Sequence, residues 1–287
     1  MNNNDNIGEG PGLIWHFTSA EALYPILRPD GGIFATHQAF MNDVSDCVLC
    51  RRVAMAMSHV FEASINVPKS KLPKKFKEMT AGLCAGTWHS IFLTCFSATA
   101  TNPLLWRCYT PQGGFAIGVS RDDIKANLEA PQKQLGAVRF ENCSYSSWGK
   151  AIRKVNVFEK TLAKRCVRMK DATCDAKENS KLFVQSLMES LKLERRLAFC
   201  KDPFFESEQE VRVMYAFQEP VPISDLIVLN GKPRIRVPLA APFSSFVKRI
   251  LVSPLGDKES NYYQAQLLAA SIGLPISSVE VFHAPVR

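Results

Sequence analysis

The sequence predicts an α+β protein with a mixed or antiparallel sheet. Short apolar runs of strand character sit at both ends of the chain, around Leu13–Phe17 and again from Glu208 to Phe282. Stretches with helical spacing occupy the middle, above all residues 150–200. With 287 residues, 46% of them hydrophobic, the chain can bury a full core at about the upper size of one domain. No internal repeat, low-complexity tract or composition break divides it, so residues 13–287 read as one domain behind a flexible, polar segment 1–12.

Leu13-Ile14-Trp15-His16-Phe17 reads as a strand with one polar intruder. Thr18 or Ser19 then caps a helix over Ala20–Leu27, whose apolar positions 22, 23, 26 and 27 share one face. Pro29-Asp30-Gly31-Gly32 ends that helix, and Ile33–Thr36 is a second strand. After a turn at Met41-Asn42-Asp43, a long helix runs to about Ile65, followed by a Pro/Lys-rich connection over 66–80. Ile91–Ser97 is a strand, Thr99–Pro103 a turn and Leu104–Tyr109 a short helix broken at Pro111. Strands follow at Phe115–Val119 and Ala137–Tyr145, then helix over 150–200 with a polar interruption near Asp171–Asn179. The last third holds strands at Glu208–Phe217, Ile223–Leu229, Arg234–Val237 and Val247–Val252, a helix at Ser260–Ser271 and a closing strand at Val279–Phe282.

No stretch reaches the roughly 18 apolar residues of a membrane span, and Met1-Asn2-Asn3-Asn4-Asp5 lacks the basic start and apolar core of a signal peptide. Nine cysteines, an odd number set mostly in apolar runs, read as free thiols of a reducing, cytoplasmic compartment. Cys47-Val48-Leu49-Cys50 has the spacing of a metal or redox pair, but no second pair follows, so no metal is expected. The net charge is +8, with basic clusters at Lys69–Lys77, Lys150–Lys170 and Lys192–Arg196. Such an excess permits a polyanionic partner, although few aromatics interleave to stack on bases.

Glu208-Gln209-Glu210-Val211-Arg212 is the most informative segment. In a strand, Glu208, Glu210 and Arg212 share one face while Val211, Val213 and Tyr215 share the other. Two carboxylates held by an arginine can line a polar cleft; the same pattern also describes a solvent-facing strand with an ion pair. Alone, His16 reads more readily as a core histidine than as a ligand contact. Leu105–Tyr109 offers two aromatics beside Gly113-Gly114, either a wall for a planar ring or ordinary packing. No GxSxG, P-loop, HExxH or GxGxxG is present, which removes the corresponding enzyme classes as motif-supported readings.

Taken in order, these segments resemble an uncharacterised bacterial family of domains of unknown function. The similar pieces are Trp15-His16-Phe17-Thr18-Ser19, Met41-Asn42-Asp43, Cys95-Phe96-Ser97, Leu105-Trp106-Arg107, Gly114–Gly118, Lys201-Asp202-Pro203-Phe204-Phe205, Glu208–Arg212 and the closing Ala284–Arg287. Phe17 stands where many relatives carry Tyr, and Asp46 where Glu is common. The resemblance implies an ADP-ribosyltransferase-like split sheet that binds NAD as substrate. It implies that Glu210 stabilises the oxocarbenium-like centre formed as nicotinamide leaves, and that Glu208 orients the acceptor. His16 would hydrogen-bond the ribose with Thr18 beside it, Trp106 or Tyr109 would flank the nicotinamide and Ser97 would brace the pocket; Arg212, which on its strand can hold either carboxylate in place, is counted with these NAD-binding residues. The implied activity is NAD-dependent ADP-ribosyl transfer to a protein or nucleic acid, or NAD glycohydrolysis. Toxins, injected effectors and antiphage defence proteins use such an activity inside a cell. A non-catalytic nucleotide- or peptide-binding protein on the same fold is the alternative.

Overall fold

The computed structural model describes residues 12–41, 44–64, 91–128, 135–171, 173–217, 221, 223–229 and 231–283. The polar start 1–11, the Asn42-Asp43 turn, the connection over 66–80 and the closing segment 284–287 lie outside them.

The architecture is α+β with a mixed, open sheet. Its strands are β1 (Leu13–Ser19), β2 (Phe34–His37), β3 (Ile91–Ser97), β4 (Gly114–Ser120), β5 (Leu135–Asn142), β6 (Glu210–Phe217), β7 (Ile227–Leu229), β8 (Lys232–Arg236), β9 (Val247–Val252) and β10 (Val279–Val281). They run β10-β9-β4-β1-β3-β2-β8-β7, with β6 added to β3 and β5 to β6. The β10–β9 pair is parallel and the other pairs are antiparallel. The described helices are α1 (Ala20–Leu27), α2 (Val44–Ser64), α3 (Pro103–Tyr109), α4 (Arg121–Asn127), α5 (Trp148–Lys170), α6 (Ala176–Leu197) and α7 (Lys258–Ser271).

One sheet face carries Ile14, Phe96, Ile117, Val211, Val213 and Ile250, which pack with Leu23, Ile26 and Leu27 of α1 and Ala265 and Ala269 of α7. Each large apolar side chain so buried contributes roughly 1.5–3 kcal/mol before the entropy of ordering it. The opposite face is covered in two places. Trp15, Ala116 and Leu251 lie with Trp106 and Phe282, and Leu93 and Met214 lie with Ala198 and Phe199 just after α6. Trp15 reaches its place because Gly118 opposite it has no side chain: a Cβ there would stand 2.7 Å from the indole. Helices α2, α5 and α6 form a separate apolar cluster through Val53, Met57, Val155, Phe158 and Phe183.

β3 positions the site. Along one edge it pairs with β6 over its whole length, from Ile91↔Ala216 to Ser97↔Glu210. Its other edge is divided: β1 meets it at Trp15↔Ser97, and β2 meets it at Thr36↔Leu93 and His37↔Phe92. β1 then follows β4 through seven paired residues while β2 follows β8, so the two wings part. Among the described residues, Thr94, Cys95 and Phe96 have no ladder partner on that edge.

Candidate functional site

The acidic segment folds differently from simple strand alternation. Asp202 Oδ1 accepts from the Phe204 backbone N–H at 3.0 Å, and Pro203 opens a 3-10 turn through Glu208. Gln209 then adopts φ 45°, the left-handed region, before β6 starts at Glu210. Glu208 is therefore outside the strand, and the expectation that it continues one face with Glu210 and Arg212 is corrected. The left-handed residue swings its carboxylate back so that both glutamates meet one cation, Lys201. Lys201 Nζ donates to Glu208 Oε2 at 2.5 Å and to Glu210 Oε2 at 2.6 Å. It also sits 5.0 Å from the centre of the Phe205 ring.

Glu210 and Arg212 do share a face, as alternation requires. Arg212 grips the carboxylate with a fork, Nε to Oε1 at 2.8 Å and Nη2 to Oε2 at 2.9 Å, while Nη1 donates to Ala198 O at 2.8 Å. Arg212 is 1% exposed, so it cannot touch a ligand as a cofactor-binding residue; it holds Glu210 instead. Burial pushes the Glu210 carboxyl up, but Arg212 and Lys201 together outweigh it and hold the group well below the usual carboxylate range. Two lysine/arginine cations and two carboxylates make the cluster formally neutral, which is what so complete a burial demands. The Glu210 backbone is tied as well, its N–H donating to Tyr145 Oη at 2.8 Å. Burial is the main cause that pushes the Tyr145 phenol up to about 12.

Cys95 connects this cluster to β1. It lies opposite Arg212 in the β3–β6 register, and its thiol lies near enough to the Glu210 side chain for each to influence the other's charge. Burial, then the Glu210 charge, push that thiol well up, so it is a neutral donor and not a nucleophilic thiolate. On the divided edge, Cys95 O lies 3.2 Å from His16 Nδ1. A carbonyl accepts only from N–H, so the proton sits on Nδ1. Burial lowers the His16 pKa, the carbonyl bond opposes that and the Arg234 charge adds to it, leaving the ring neutral near pH 7. His16 Nε2 is then an acceptor at the parting of the wings. Thr18, on the same side of β1, is buried. Tyr109 at the end of α3 is 38% exposed, yet burial of its hydroxyl and the nearby Cys95, Glu210 and Glu208 push its pKa upward.

Two other expected residues sit behind the opening. Trp106 is fully buried, its Nε1 donating to Ala100 O at 2.7 Å and its ring stacked on Phe282 at 5.1 Å. It has no surface to flank a bound ring, which leaves Tyr109 as the candidate for that place. Ser97 is buried, with its hydroxyl proton shared between the carbonyls of Thr99 and Glu208, both at 2.7 Å. It braces the acidic segment from β3. Asn102 adds a second tie: it caps α3 by accepting from Leu104 N–H and donates to Ser207 O at 2.9 Å.

Tyr145 and Arg234 carry no role in the sequence reading, and Lys201 and Cys95 enter it only as members of quoted segments, with no role assigned. Lys201 alone carries a local signal, a lysine between Leu197-Ala198-Phe199-Cys200 and Pro203-Phe204-Phe205. A lysine so placed is buried only with a partner. Cys95, Cys108, Cys166, Cys174 and Cys200 are free thiols; Cys84 and the Cys47 side chain lie outside the description. Among the described residues, no group of three or more His, Cys, Asp or Glu is placed to hold a metal ion. None of the described helices is long and apolar enough to cross a membrane.

Residues 105–213 match the model of a family described as Protein of unknown function (DUF2971). This supports placing that part of the chain, from α3 to β6, in an uncharacterised domain family. No curated protein and no solved structure matches the chain.

Proposed function

We propose that the chain binds NAD where β1 and β2 part from β3 and transfers its ADP-ribosyl group to an acceptor or to water. The observation that carries this is His16. Its Nδ1 proton is committed to Cys95 O, so neutral Nε2 presents an acceptor for a ribose hydroxyl on the Phe96 face of the sheet, while Tyr109 and the Glu208/Glu210 pair stand on the other face of β3. The divided edge of β3 suits the split sheet of an ADP-ribosyltransferase-like fold, which the resemblance of the His16, Ser97 and Glu210 segments implies. In the reaction, the glycosidic C–N bond breaks, its electron pair leaves on nicotinamide and positive charge develops on the ribose. A carboxylate fixed in a water-poor site stabilises that charge without reorganising. The acceptor's oxygen or nitrogen then bonds the anomeric carbon and releases its proton. Cytoplasmic action, on a host or target-cell component, belongs to the same proposal.

A nucleic-acid acceptor is favoured over a protein by the helical hairpin. Residues 148–197 hold thirteen Lys and Arg against six Asp and Glu. Along α5, Lys150, Arg153, Lys154, Lys160 and Lys164 are exposed and join no ion pair among the described residues, a stripe of about 21 Å at 1.5 Å per residue. It starts five residues after Tyr145, the residue that contacts Glu210.

One observation favours the second reading, a non-catalytic nucleotide-binding protein. Both Glu210 oxygens are already taken by Arg212 and Lys201. Binding is common to both readings, and His16→Ala tests it. The substitution removes one partly exposed ring and leaves the apolar cores intact, so the fold should survive. Loss of one hydrogen bond to the ligand should raise the Kd for NAD about tenfold in a calorimetric titration. An unchanged Kd would place NAD elsewhere or nowhere.

A further inference from the structure

We infer that Arg234 is the anion-binding residue of this cleft, receiving the phosphate or pyrophosphate group of a ligand that lies between the β1 and β2 wings. The location rests on the proposed nucleotide site; the argument for an anion rests on the surroundings of Arg234 itself.

The register places Arg234 on the working face of the sheet. Arg234 pairs with Thr36, and Thr36 pairs with Leu93, two residues before Cys95. Cross-strand partners point to the same side, so Arg234 shares the face of Leu93, Cys95, Glu210 and Arg212. It belongs to the β2–β8 wing, while His16 belongs to the β1 wing, and the Arg234 charge reaches His16. Trp15 pairs with Ser97 on the Glu210 face, so His16 beside it points to the other face, against Phe96, and the two residues flank the gap between the wings from its two faces.

The guanidinium is incompletely satisfied. Its Nε is shielded from water and has no hydrogen-bond partner. Arg52, Arg165 and Arg212 each meet a carboxylate, on Glu159, Glu189 and Glu210. Arg234 joins no ion pair among the described residues. Burial depresses its pKa, with no carboxylate acting to raise it. A partly desolvated cation with an orphan donor is a net cost to the folded chain. An arginine offers donors only, in a planar fork that matches two phosphate oxygens. A phosphate from outside would answer both the missing charge and the missing acceptor. Across the gap between the wings, neutral His16 offers the complementary function, an acceptor for a hydroxyl. A phosphate and a ribose hydroxyl lie a few bonds apart in any nucleotide, so the pair reads a ribose-phosphate unit.

The test uses the full chain, inorganic pyrophosphate, ADP and adenosine as probes, and the variants Arg234→Gln and Arg234→Lys. Pyrophosphate and ADP should bind at least tenfold more weakly to Arg234→Gln and recover in part with Arg234→Lys, while adenosine is unaffected. Pyrophosphate should also shift the His16 ring signals in the NMR spectrum of the natural chain and not in Arg234→Gln. Without ligand, Arg234→Gln should raise the His16 pKa, because a cation that lowers it has gone. Its unfolding midpoint should not fall, since no native partner is lost. Unchanged pyrophosphate affinity in Arg234→Gln, or pyrophosphate binding that leaves His16 unmoved, would overturn the inference. Failure of the NAD-cleavage proposal would look different: pyrophosphate would still bind through Arg234, with no nicotinamide released.

Discussion

Glu210→Gln is expected to lose about 3–5 kcal/mol of folding stability, because it strips the charge that Arg212 and Lys201 were buried to meet. Glutamine keeps the volume but can no longer accept from both cations, so two buried donors lose part of their compensation. The simple expectation for a catalytic carboxylate, that turnover falls while the fold is untouched, does not hold for a group so enclosed. Chemical denaturation should show the loss directly. The double variant Glu210→Met with Arg212→Met removes both members of the fork and leaves Lys201 with Glu208. It should recover most of the stability, as apolar replacement of buried pairs commonly does. A Glu210→Gln chain as stable as the natural one would mean that the ion cluster is not what holds this region. Kinetics under conditions where the variant is folded carry the second half of the prediction. If Glu210 stabilises developing charge, kcat should fall about 10²-fold with little change in KM. The folded double variant should be equally inactive.

Lys201→Met should be almost as damaging and should reverse the pH dependence of stability. In the natural chain the Glu210 pKa is held below its unfolded value, near 4.5. Its contribution is therefore complete above about pH 4.5 and is lost as the pH falls through the depressed folded value. Without Lys201, Glu208 and Glu210 lose the cation they share. Like charges in a buried site raise one carboxyl pKa above its unfolded value. That group then contributes stability at low pH, and the contribution disappears as the pH rises through the raised folded pKa. Unfolding midpoints in the natural chain should rise with pH only up to about 4.5 and then level off, whereas in Lys201→Met they should fall across about pH 4 to 8. Parallel curves would show that Lys201 does not balance the two acids.

How far the site was legible in the sequence depended on the distance over which each residue acts. Alternation along β6 correctly set Glu210 and Arg212 on one face and Val211, Val213 and Tyr215 on the other, because a strand decides that locally. It failed one turn earlier, where Gln209 is left-handed and no glycine marks the spot. The apolar run Ile91–Ser97 was read as a strand. Its division between β1 and β2, which creates the opening, is a matter of pairing with residues 79 and about 56 positions away. Trp106 illustrates the same limit. Its partner Phe282 comes from the far end of the chain, so a local reading of an aromatic beside Gly113-Gly114 could not tell a wall from a core. Arg234 reads as one charge in a basic strand, Lys232-Pro233-Arg234-Ile235-Arg236, until the fold shows that its Nε faces no acceptor.

The most direct measurement is release of free nicotinamide from NAD by the purified full chain, followed with and without a nucleic-acid acceptor. The account predicts release by the natural chain, faster with the acceptor present, reduced by His16→Ala through weaker binding and by Glu210→Gln through kcat. Tight NAD binding without any nicotinamide release, with or without acceptor, would contradict it and leave a nucleotide-binding protein in which the buried Glu210–Arg212–Lys201 cluster is purely structural.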